Sequence, residues 1–159
     1  MPKTKNDLSK KTRDAIVNVL NERLADSIDL MMQSKQAHWN VKGANFMALH
    51  ALFDKVVESS EEWIDDIAER AVALGGVAYG TVRVAAKQST LKEYPLAISA
   101  SVDHVEALST ALAAYGKAVR AAIDATDKLG DAGTADLFTG ISRDVDKYLW
   151  FVEAHAQSK

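Results

Sequence analysis

The chain has 159 residues, 48% of them hydrophobic and 26% charged, which is enough for one globular domain with a sizeable core. Its formal net charge of -3 supplies no global field for nucleic acid, and the lack of cysteine excludes disulfides and thiolate ligands and fits a reducing compartment. The opening "MPKTKNDLSKK" has no apolar core of a signal peptide and no apolar run can span a bilayer, so a cytoplasmic protein without membrane partners is expected.

Two prolines and eight glycines leave long uninterrupted stretches that favour helices. Residues 1–8 read as a flexible, lysine-containing tail, and 9–157 as one bundle domain. The first helix begins near Ser9, its N-cap, and runs to about His38, with Ile16, Leu20, Leu24, Ile28 and Met31 recurring every three or four positions. "HWNVKGAN" breaks that pattern; Gly43 permits a turn and Asn45 can cap the second helix. That helix carries a core stripe of Phe46, Leu49, Phe53, Val56, Ser60, Ile64, Ile67, Ala71 and Leu74, and stops at Gly75-Gly76. Residues 77 to about 100 are too irregular for a long helix, with room for a short one over 81–88. Periodicity resumes with Val105, Leu108, Leu112, Tyr115, Val119 and Ile123, breaks at "DKLGDAG", and returns with Leu137, Ile141, Val145, Tyr148 and Val152 behind Asp131 or Thr134 as caps. Short links favour antiparallel neighbours, and a long link can cross the bundle. The expectation is an all-α, ferritin-like four-helix bundle whose long crossover, between helices two and three, carries the short helix.

The second helix raises a problem. His50 and Asp54 sit near one end, Asp65 and Glu69 near the other. At 100° per residue, with His50 as zero, they fall at about 0°, 40°, 60° and 100°, on one side of the helix and offset from the core stripe. Yet Asp54 and Asp65 are roughly 16 Å apart along the axis, and a metal needs its ligands at about 2 Å. A two-fold axis resolves this. The pairs His50/Glu69 and Asp54/Asp65 share one midpoint, between Ser59 and Ser60, so two antiparallel copies crossing there bring the two ends together twice. The serines are small enough for a close crossing. Glu58 and Glu61 share the same midpoint, and either splay into solvent or bind a cation. By itself the acidic face also reads as a solvated surface. His38 adds an imidazole at the end of the first helix, where the chain turns back toward His50. Mixed imidazole and carboxylate ligands suit iron, manganese or zinc, and a carboxylate bridge can hold two metals within about 4 Å.

"KQAHWNVKGANF", "LHALFD", "DDIAERAVALGG" and "SRDVDKYLWFVE" resemble the Dps family, the DNA-binding proteins from starved cells, across about Asp7 to Glu153. The resemblance implies a hollow homo-dodecamer built from two-fold dimers, with a di-iron ferroxidase centre at each dimer interface. It assigns His38, His50 and Asp54 to one subunit and Asp65 and Glu69 to its neighbour, all five as metal ligands and catalytic residues. Iron, two ions per shared site, is oxidised from Fe(II) to Fe(III), preferably by hydrogen peroxide, and stored as mineral; zinc or manganese can substitute. Trp39 resembles the aromatic residue flanking the family's site and equally suits a core or interface role. No Glu-x-x-His motif occurs, unlike ferritins that build the site inside one bundle.

The resemblance also implies an acidic iron-entry pore at the three-fold axis. Asp136 matches such a position, but Gly133 stands where a second acid is common, leaving Asp131 or Asp127 as substitutes that also read as loop or cap residues. Some family members bind non-specific double-stranded DNA through N-terminal lysines and associate with the nucleoid. Here Lys3, Lys5, Lys10, Lys11 and Arg13 against Asp7 leave +4 over residues 1–13, suited to DNA contact or to a solubilising terminus. Nucleoid compaction with DNA shielding as the main role is the alternative to iron oxidation. His104 and His155 read as surface or cap-region residues, and Trp63 and Trp150 as interface fillers.

Overall fold

A computed structural model describes residues 4–157. Helices α1 (Lys10–Asn40), α2 (Phe46–Ala73), α3 (Val82–Gln88), α4 (Ser101–Lys128) and α5 (Ala132–Glu153) account for the regular structure, and no strand forms among the described residues. Ser9 caps α1 as its residue type predicts, its Oγ accepting from the Thr12 N–H at 3.1 Å. Asn45 holds the capping position of α2, but its side chain makes no capping bond. α2 ends in a left-handed Gly75 (φ +82°), with Gly75 N–H bonded to Val72 O and Gly76 N–H to Ala71 O. Gly76 also lies where α2 meets α1: a Cβ there would stand 2.6 Å from Val17 Cγ1.

Three contacts fix the topology. Arg13 Nη1 donates to Leu74 O, joining the start of α1 to the end of α2. Lys42 N–H donates to Ser99 O and Ser101 Oγ to Lys42 O, tying the α1–α2 turn to the start of α4. Arg70 pairs with Asp131, joining the end of α2 to the start of α5. The crossover therefore runs the length of the bundle and sets α2 and α4 parallel, as a ferritin-like connection requires. Leu20, Leu24, Phe53, Ile67, Leu112, Tyr115 and Phe138 are fully or almost fully buried at its centre.

The crossover is irregular in sequence because its order comes from α1. Asn21, Asp26, Asp29 and Gln33 lie along one face of that helix. Asn21 Nδ2 donates to Val77 O, and Asn21 Oδ1 accepts from Tyr79 N–H. Asp26 accepts from Thr90 N–H, Asp29 from Ser89 Oγ, and Gln33 donates to Lys92 O. Polar side chains on a buried helix thus replace the backbone partners that a loop lacks. No helix among the described residues is long and apolar enough to cross a membrane.

Candidate metal centre

The turn after α1 brings its last full turn against the first turns of α2 and stacks His38 on His50, with ring centroids 3.6 Å apart and planes 21° from parallel. Each imidazole bonds the backbone of the other. His38 Nδ1 lies 2.8 Å from His50 O, and His50 Nδ1 lies 2.9 Å from His38 O. A carbonyl oxygen only accepts, so both Nδ1 atoms carry a hydrogen and donate. In the neutral rings Nε2 then presents its lone pair, the form a metal ligand takes, and both rings are oriented before any ion arrives. Phe46 flanks them, its centroid 5.0 Å from that of His50.

Asp54 follows one turn after His50. Its Oδ1 is 2.6 Å from Lys35 Nζ and 3.8 Å from His38 Nδ1, the latter beyond hydrogen-bond reach. The Lys35 hydrogen bond holds the Asp54 carboxyl below its ordinary range against the cost of desolvation, and the neighbouring His38 and His50 add to the lowering. Lys35 is the residue that sequence reading missed here. It lies three positions before His38 and so shares its face of α1, a spacing that flags it.

Asp65 and Glu69 are exposed at the other end of α2 and form no ion pair among the described residues. Within one chain, no three described His, Cys, Asp or Glu side chains gather to hold a metal ion. One protomer therefore stacks two oriented imidazoles with Asp54 nearby on Lys35, an incomplete set, and leaves Asp65 and Glu69 apart from them.

These observations set the chain beside known proteins. The model of the ferritin-like domain matches residues 17–158. The chain is 46% identical over 157 residues to the DNA protection during starvation protein of Agrobacterium fabrum, spanning 99% of this chain and 97% of that one. The chain belongs to the Dps family of ferritin-like proteins. Its fold matches DpsC from Streptomyces coelicolor with a TM-score of 0.94 at 32% identity, over 99% of this chain and 92% of that one. Dps from Microbacterium arborescens in its high iron form gives a TM-score of 0.88 at 33% identity, over 94% and 97%.

The Dps chain departs from several sequence expectations. Ser60 is fully buried, its Oγ bonded to Val56 O, and Ser59 Oγ is bonded to Tyr148 Oη. The serines face their own bundle, because the core stripe that contains Ser60 turns them inward. Glu58 and Glu61 are exposed at that level instead. Trp39 is 59% exposed and makes no ring contact with either imidazole; it lines a groove of about 570 Å³ with Met32, Gln36, Val82, Tyr94 and Leu96. Trp63 is buried in the core between Tyr115 and Tyr148, whereas Trp150 is exposed.

Asp131 is not a free pore acid. It is the N-cap of α5 and is buried, accepting from Thr134 N–H and Oγ1 and, with both oxygens, from Arg70 Nη2. Burial pushes its carboxyl up, but the hydrogen bonds from Thr134 and Arg70 outweigh that and hold it below the ordinary carboxylate range. The same cluster accounts for Gly133: a Cβ there would stand 3.2 Å from Arg70 Nη2, so the guanidinium fills the space of a side chain. Asp136 and Asp127 are exposed.

Of the basic N-terminal residues, Lys3 lies outside the described residues. Lys10 is 2.6 Å from Asp14, Arg13 is bonded to backbone oxygens, and Lys5 and Lys11 are exposed. His155 is partly buried near the chain end. His104, expected at the surface, is 1% exposed; the start of α4 is covered by the returning crossover, which places Tyr94 Oη 2.7 Å from His104 Nδ1.

Proposed function

We propose that this protein oxidises Fe(II) with hydrogen peroxide at sites shared between two chains, stores the ferric product inside a twelve-chain cage, and thereby protects DNA. The carrying observation is the His38–His50 pair, whose mutual backbone bonds engage both Nδ1 atoms and leave both Nε2 lone pairs for a metal, with Asp54 one turn further along α2. Asp65 and Glu69, exposed at the far end of α2 without an ion pair among the described residues, are the complement a two-fold neighbour would supply. The high iron form of the Microbacterium arborescens relative supports iron as the substrate. Two Fe(II) ions lose one electron each; the peroxide O–O bond takes both electrons and, with two protons, gives two waters. Paired delivery avoids the hydroxyl radical that a single electron releases. Carboxylate oxygens favour the harder Fe(III), which promotes the electron loss. Zinc or manganese would occupy the same donors without replacing this turnover.

The test combines stopped-flow absorbance after mixing Fe(II)-loaded protein with peroxide and particle mass in solution. A fast phase saturating at about two irons per chain and a mass near twelve chains are expected. A stable monomer, or oxidation no faster than in buffer, would overturn the reading.

The exposed Lys5 and Lys11 on a basic N-terminus favour DNA contact as a second role, nucleoid-associated in a cytoplasmic protein. Twelve such termini on one particle would add weak phosphate contacts. Gel retardation of double-stranded DNA is expected at low salt, fading as salt rises, and lost in Lys3→Ala/Lys5→Ala/Lys11→Ala, which spares the Ser9 cap and the Lys10–Asp14 pair. Unchanged retardation in that variant would reject the assignment.

A further inference from the structure

Four tyrosines occur in the chain, and their hydroxyls meet different partners. Tyr115 Oη is bonded to Ser27 Oγ and Tyr148 Oη to Ser59 Oγ. Tyr79 is half exposed. Tyr94 alone among the buried tyrosines faces a base. Its Oη is 2.7 Å from His104 Nδ1, the rings lie 6.1 Å apart and 21° from parallel, and both residues are buried.

The protonation pattern of this pair follows from its surroundings. Burial lowers the His104 pKa, partly opposed by the carbonyls of Asn40 and Ile98 and by the Asp103 carboxylate, so the ring is neutral. His104 Nε2 is buried without a hydrogen-bond partner. The backbone oxygens of Asn40 and Ile98 act on this ring as acceptors, which favours an N–H on the nitrogen that Tyr94 does not engage. The hydrogen therefore sits on Nε2, and Nδ1 accepts the Tyr94 proton. Burial also pushes the Tyr94 phenol well above its ordinary pKa, so the group does not ionise without losing an electron.

We infer that Tyr94 and His104 form a proton-coupled electron donor, a one-electron source serving the iron site. The inference rests on the ferroxidase reading. Tyr94 lines the same groove as Trp39, the residue next to His38, so the donor lies at the end of α1 that carries His38. A site with a single Fe(II) gives peroxide one electron; the O–O bond breaks to hydroxide and a hydroxyl radical. One electron from Tyr94 and one proton from solvent reduce that radical to water. The Tyr94 proton moves to His104 Nδ1, leaving a neutral tyrosyl radical and an imidazolium. The carbonyls of Asn40 and Ile98 and the Asp103 carboxylate favour that cation, and the proton stays in place for return when the radical is reduced. Tyr115 and Tyr148 have only hydroxyl partners, which take no proton at neutral pH.

Two experiments on the full-length assembly test the pair. In the first, one Fe(II) per shared site is mixed with peroxide, freeze-quenched and read by electron paramagnetic resonance. A tyrosyl signal that narrows with ring-deuterated tyrosine is expected, lost in Tyr94→Phe and strongly reduced in His104→Gln, which keeps a hydrogen-bonding group but no base. In the second, a photo-excited ruthenium tris-bipyridine complex with a sacrificial acceptor supplies the oxidant without iron. Tyr94 oxidation is expected there to slow in heavy water and to vanish in His104→Gln. No tyrosyl radical in either experiment, or one unaltered by Tyr94→Phe, overturns the pair. A Tyr94 radical in the second experiment with no iron oxidation in the first supports the pair and overturns the ferroxidase reading instead.

Discussion

Two inactive assemblies regain iron oxidation when mixed: that is the expected result for His50→Ala/Asp54→Ala chains reassembled with Asp65→Ala/Glu69→Ala chains. Each variant alone builds every shared site with one half missing, so the fast phase should fall by at least about 100-fold. In a mixed dimer, one site receives both damaged halves, and the other receives His38, His50 and Asp54 from one chain and Asp65 and Glu69 from its mate, all intact. Random equal mixing makes half of the dimers mixed, so about a quarter of the sites should recover, with unchanged rate constant and reduced amplitude. Stopped-flow amplitude after dissociation and reassembly measures it. No recovery from particles of correct mass would mean that the two ends of α2 do not serve a common centre. The result depends on geometry that one chain already shows: His38 and His50 are locked together, while Asp65 and Glu69 stand exposed at the far end of α2, without an ion pair among the described residues.

Much of this architecture was legible because long helices repeat one signal many times. The stripe from Leu49 to Leu74 and the Gly75-Gly76 stop define α2 and agree with its observed bounds, Phe46–Ala73. The short helix over 81–88 was legible too, observed as Val82–Gln88. The histidine pair was legible as a proximity, since a turn of a few residues must return His50 toward His38. Its lock was not, because the bonds run from ring nitrogens to carbonyls, and backbone oxygens carry no sequence signature. Lys35 was not legible for a related reason: a lysine is not a metal donor, and its role here is to pair with the Asp54 carboxylate.

Where α1 meets the crossover, residue type misled. His104 stands near the start of α4, a position usually open to solvent, and only the returning segment with Tyr94 buries it. Asn21, Asp26, Asp29 and Gln33 have polar side chains whose partners, Val77, Thr90, Ser89 and Lys92, lie more than 50 residues further along the chain, so no local pattern announces them. Ser59 and Ser60 are small enough for a two-fold crossing, but the side they face is set by the core stripe, which turns Ser60 fully inward.

Asp131→Ala should be among the most damaging single changes outside the metal centre, costing about 3 kcal/mol, or roughly 10 °C in melting temperature at fixed protein concentration. Two losses combine. The α5 N-terminus loses the acceptor of the Thr134 N–H, and Arg70, whose side chain is only 27% exposed, keeps its charge without a carboxylate and retains only the Thr134 hydroxyl. Asp131→Asn separates them, since asparagine caps nearly as well but cannot neutralise the guanidinium, so it should cost less than alanine. Acid distinguishes the charge from the cap. The Asp131 carboxyl is held below its ordinary value in the folded chain, so its stabilisation is fully present above the unfolded value of about 3.9 and is lost as pH falls through the folded value. The gap between wild type and Asp131→Asn should therefore stay constant from neutral pH to about pH 5 and narrow below about pH 4. Thermal unfolding across that range measures it, and a gap that stays constant down to pH 2 would show that the carboxylate charge is not what holds the end of α2 against α5. The same guanidinium occupies the space at Gly133, so a residue that resembled a gap in an acidic pore is better explained by an arginine already engaged with Asp131.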